Sequence, residues 1–137
     1  MSATGANVPV RLSFGIGGFD GMSYEVEFSG EAIHVRSGAG HGAWCEKTAV
    51  TPSPAAWSRF WQAVDAIGVW QWQPEYFDHD VLDGTQWELE LAHAGSSVKC
   101  EGSNAYPGAN GPSYGRNTAF ARFLKALRTL TGVKAIG

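Results

Sequence analysis

Apolar and polar positions alternate along two stretches of the chain in the same way. Tyr24, Val26 and Phe28 are interleaved with Glu25 and Glu27, and Trp87, Leu89 and Leu91 with Glu88 and Glu90. A period of two puts one set on each face of a strand, so both stretches predict strands with an oily face and a carboxylate face. That pattern suits an antiparallel sheet with one face on a core and one in water. Asp20-Gly21 and Asp83-Gly84 precede the two strands as turn signals. Returning strands are predicted at 32–36 and 97–100. A first strand is predicted from Val8 to Ile16, and another from Trp44 to Val50.

The period then changes. Trp57, Phe60, Trp61, Val64 and Ile67 recur at spacings of three and four, as do Phe120, Phe123, Leu124, Leu127 and Leu130. Each set makes one apolar stripe on a helix. Ser53 and Pro54 suit the start of the first helix, and Asn117 or Thr118 the start of the second. Gly68 and Gly132 are the expected stops.

Shifting the sequence by 63 positions lays Asp20-Gly21 on Asp83-Gly84, Glu25 and Glu27 on Glu88 and Glu90, and Arg59-Phe60 on Arg122-Phe123. The expected architecture is therefore a two-layer α+β domain, an antiparallel sheet with two amphipathic helices on one face. A hairpin-plus-helix unit would occur twice, at about 20–68 and 83–132. At 137 residues the chain is long enough for one core and too short for two ordinary domains.

A net charge of −3 and a pI near 5.7 argue against binding a nucleic-acid backbone. No apolar run reaches membrane-spanning length, so no membrane association is expected. The opening residues lack a basic start and an apolar block, which predicts a cytoplasmic protein. In that compartment Cys45 and Cys100 are expected as buried or inert thiols, with a disulfide or one reactive thiol as the alternatives.

Little assembled chemistry is legible. Gly15-Ile16-Gly17-Gly18 lacks the following helix that a phosphate-binding loop needs. The outward glutamates, about 7 Å apart along each strand, could be drawn as a hydrolase pair. An exposed solvating face is the simpler use of them. Asp78, His79, Asp80 and Asp83 form the densest group of potential ligands, yet their spacing fits neither a calcium loop nor a zinc helix. No cofactor or metal is expected. The loop from Gly102 to Arg116 is rich in Gly, Tyr, Ser and Asn, residues favoured at adaptable contact surfaces; the alternative is a crossover from the last strand to the second helix, with Tyr106 packing down as an anchor. Trp72, Tyr76, His79, Asp80, Asn104, Tyr106 and Tyr114 are the candidate binding residues. The expected function is non-enzymatic binding of a protein partner, inhibitory or immunity-like in kind. The alternative is a small hydrolase or metal-dependent enzyme using the 78–83 segment.

The run Asp83-Gly84-x-x-Trp87-x-Leu89-x-Leu91, followed by Gly102-Ser103-Asn104-Ala105-Tyr106-Pro107 and the last helix, resembles uncharacterised small bacterial α+β proteins. These share a DGxxWxLxL…GxNAYP segment before a C-terminal helix. The resemblance covers the last third to half of the chain and implies a small α+β fold without assigning an activity. Gly108 to Arg116 departs from it as an insertion.

Overall fold

A computed structural model describes residues 8–18, 22–39, 43–77, 85–108, 111–113, 118–133 and 136. Among them, seven strands form one mixed sheet: β1 (Arg11–Gly18), β2 (Met22–Ser29), β3 (Ala32–Ala39), β4 (Ala43–Val50), β5 (Glu75–Phe77), β6 (Thr85–His93) and β7 (Ser96–Ser103). Two helices, α1 (Pro54–Ile67) and α2 (Thr118–Thr131), complete the α+β fold. A short hairpin, β8 (Tyr106–Gly108) with β9 (Gly111–Ser113), leads towards α2.

The sheet order is β4-β3-β2-β1-β6-β7-β5. All neighbours are antiparallel except β5, which runs parallel to β7. The expected purely antiparallel sheet is corrected at that edge. Val69–Gln73 alternates in a way that suits either a strand or the tail of the first helix; Val69–Gln71 forms a 3₁₀ turn directly after α1, and the strand comes later, at Glu75. The first strand starts at Arg11 rather than Val8, and Val10 stays exposed.

β1 is the axis of the sheet. On one side Ile16, Phe14 and Ser13 pair with Tyr24, Val26 and Glu27. On the other, the same three residues pair with Trp87, Leu89 and Glu90. Positions matched by the 63-residue shift thus flank β1 in identical register. The hairpins built on them, however, grow outward in opposite directions, β3 on one flank and β7 on the other. Directly paired residues share a face. With β2 and β6 parallel to each other and facing the same way, laying β2 on β6 would drop β3 into the place of β1. The strands correspond, but the hairpins are opposite-handed and cannot be superposed as rigid units.

Helix chemistry follows the sequence closely. The Ser53 hydroxyl accepts from the Ala56 amide at 3.1 Å, and Gly68 ends α1 at φ +83°. Gly132 ends α2 at φ +74°. No Cβ opposes these left-handed conformations, and the Gly68 amide reaches back to the Val64 carbonyl. Trp57, Phe60, Trp61 and Val64 are buried on one helix, and Phe120, Phe123, Leu124, Leu127 and Leu130 on the other.

Rings from both helices reach the same face of the sheet. Trp57 meets Phe28 edge-on at 5.7 Å, Phe123 meets Phe14 at 5.6 Å, and Phe120 meets Trp87 at 5.0 Å. Phe60 and Phe123 join the helices at 6.4 Å. Truncating a buried ring of this kind costs about 3–5 kcal/mol, so this aromatic seam carries much of the stability.

Candidate functional site

The second face of the sheet carries the charge. Across its middle row, Lys47, Arg36 and Glu25 lie side by side on β4, β3 and β2, then Gly15 on β1, then Glu88, Glu101 and Glu75 on β6, β7 and β5. One flank sets Lys47 and Arg36 beside Glu25, and the other carries three glutamates. Strands lie about 4.8 Å apart, so the three carboxylates of the acidic flank span about 10 Å. Around them is a depression of about 470 Å³, rimmed by Glu75, Glu88, Glu90, Lys99 and Glu101.

The row is partly neutralised. Within it Arg36 pairs with Glu25, and beside it Arg11 Nε meets Glu90 Oε1 at 2.8 Å. Pairs this exposed contribute at most about 1 kcal/mol. Glu88 and Glu101 are directly opposed across β6 and β7, an arrangement that repels. Gly15 eases it: the Glu88 side chain lies over the bare glycine, its Oε1 3.4 Å from where a Cβ would stand. The sequence placed Glu88 and Glu90 on the outward face. It did not show that Glu75, Lys99 and Glu101 join them, because cross-strand register carries no local signal.

The Gly102–Tyr106 segment is built for packing. A Cβ on Gly102 would run into the Trp87 indole and lie 2.7 Å from the Ala105 carbonyl oxygen. The same carbonyl accepts the buried Trp87 Nε1–H at 3.0 Å. Asn104 sits at φ +58°, and its Oδ1 accepts from the Thr85 amide at 3.0 Å while its own amide donates to the Thr85 carbonyl. Asparagine is among the few residues that tolerate this conformation. Each of these three residues therefore has a structural task.

The other candidate residues divide in two. Tyr76 and Tyr106 are buried, at 4% and 6% exposure, and Trp72 is half-buried against Trp87, Phe120 and Phe123. Tyr106 lies 4.8 Å from the Phe120 ring. The Tyr76 hydroxyl accepts the Gln73 amide at 2.7 Å; burial raises its pKa, and that hydrogen bond works in the opposite direction. Trp70 stacks towards Trp61 and donates to Asp65 at 2.8 Å. Trp70 and Trp72 are thus half-buried and Tyr76 is buried, while the neighbouring Phe77 is exposed. His79, Asp80 and Tyr114 lie outside the described residues, as do Asp78 and Asp83. Among the described residues no three His, Cys, Asp or Glu side chains cluster as metal ligands. No described helix is long and apolar enough to cross a membrane.

Compared with known families and curated proteins, the chain matches no family model and no curated sequence.

Proposed function

We propose that this chain is a non-enzymatic interaction protein, inhibitory or immunity-like in kind, whose outward sheet face meets a basic protein partner. In this reading the molecule has two layers: helices close one face of the sheet, and the charged face is left for contact. The observation that carries it is the opposition of Glu88 and Glu101, with Glu75 beside them, at the edge of a depression. Like charges placed directly opposite cost roughly 0.2–1 kcal/mol in the free protein. A cationic partner would turn that cost into attraction and speed its own approach.

The 63-residue correspondence is, on this reading, a strand-and-helix pattern shared by the two flanks of β1 rather than a copied hairpin. The resemblance to small bacterial proteins and residence in the cytoplasm belong with the same proposal. The packing duties of Gly102, Asn104 and Ala105 give such a segment a structural reason to recur.

The test is affinity capture from host lysate at low ionic strength, with wild type and with Glu88→Gln/Glu101→Gln. The wild type is expected to retain a basic protein that high salt releases. The double variant should melt higher yet retain about tenfold less of that protein. Retention of no partner, or equal retention by both proteins, would sink the proposal.

A further inference from the structure

The outer seam between the helices has a chemistry unlike the rest of the molecule. A groove of about 300 Å³ opens between α1 and α2, and helix residues alone line it. Phe60 and Leu130 are buried at its floor, while Ala56, Ala63 and Ala126 keep it open because their side chains end at Cβ. All three charged residues on its rim, Arg59, Arg122 and Lys125, are basic. Among the described residues none of the three forms an ion pair. The sequence of α2 holds no acidic residue, although the whole chain carries a net charge of −3. Positive charge is thus gathered at an apolar slot, against the sign of the molecule.

The geometry points to this groove as a binding site for a single-chain anionic amphiphile, such as a fatty-acid carboxylate. Its alkyl chain would lie on the carbon floor and its head group would meet the Arg122 and Lys125 side chains. Leaving water drives the chain into the slot, and charge-assisted hydrogen bonds fix the head. Size favours a chain over a helix. The volume is at the small end for ligand sites, whereas an amphipathic helix is about 10–12 Å across with its side chains. The site is separate from the outward sheet face, so it stands or falls independently of the proposed partner.

Titration calorimetry of the full chain with sodium decanoate, kept monomeric, tests this, with decyltrimethylammonium at the same concentrations as the opposite-charge probe. One decanoate should bind per chain, at least about tenfold more tightly than the cationic amphiphile. Arg122→Glu/Lys125→Glu should reverse that preference, and Ala126→Trp should abolish binding of both, with circular dichroism confirming that each variant is folded. If Ala126→Trp does not fold, Ala63→Trp takes its place. Absence of decanoate binding, equal affinity for the two head groups, or binding unchanged by a folded groove-filling variant would overturn the site. So would attachment to phosphatidylglycerol vesicles without binding of free decanoate, which would mark a membrane-facing surface instead.

Discussion

Cys100 sits on the buried face of β7, opposite Leu89, with its thiol free. Burial pushes its pKa from an ordinary 9.0 up to about 12, because a thiolate there would lose its water without gaining a cation. The sign of the pH effect follows. Below about pH 9 the folded and unfolded chains both hold the proton, so stability is indifferent to it. Between about 9 and 12 only the folded chain holds it, and each rise in pH favours unfolding. The advantage of wild type over Cys100→Ala in urea denaturation should therefore shrink steadily from about pH 9 upward. A constant gap would mean that the thiol titrates alike in both states. Tyr76 is raised mainly by burial and further by the charge of a Cys100 thiolate, so losing Cys100 also relaxes Tyr76, and this coupling shrinks the gap in the same direction.

At the scale of elements, the β6–β7 turn is the place where a local rule is broken. His93 and Ser96 close a two-residue loop in which both Ala94, at φ +51°, and Gly95, at φ +86°, are left-handed. Such turns match the twist of a hairpin and prefer Asn-Gly, since a Cβ on the first residue is strained. Ala94→Asn should raise stability by about 0.5–1 kcal/mol in thermal denaturation, and a lower Tm would refute that account. Both helices were legible in the sequence, because stripe, cap and stop all lie within a few residues of one another. The outward glutamates were legible for the same reason. β5 was not: it has three residues and exists because β7 offers an unpaired edge beside it. Tyr76 reads as a contact residue yet is buried, because nothing local says which way an aromatic in so short a strand points; Tyr106 takes the other course open to its segment, packing down as an anchor. The acidic depression depends on register between distant strands, and the cationic groove on which helix faces meet. Neither is written in any one window of sequence.

For the molecule as a whole, the decisive fact is that the first strand lies at the centre of the sheet. β1 is bonded along both edges, to β2 and to β6, and its Phe14 ring sits at 0% exposure beneath Phe123. Its amides can open only when a flanking hairpin leaves. In hydrogen exchange, those of residues 12–16 should be among the last to exchange, at the rate of global unfolding, while the edge strands β4 and β5 exchange sooner. Faster exchange in β1 than in β7 would contradict this placement. The same arrangement shapes synthesis. Residues up to Ile67 hold β4-β3-β2-β1 and α1, so until β6 emerges the edge of β1 that it will cover stays bare. Until it arrives, another nascent copy could donate its own late hairpin, so exchange of arms between chains is the error to which this topology is most prone.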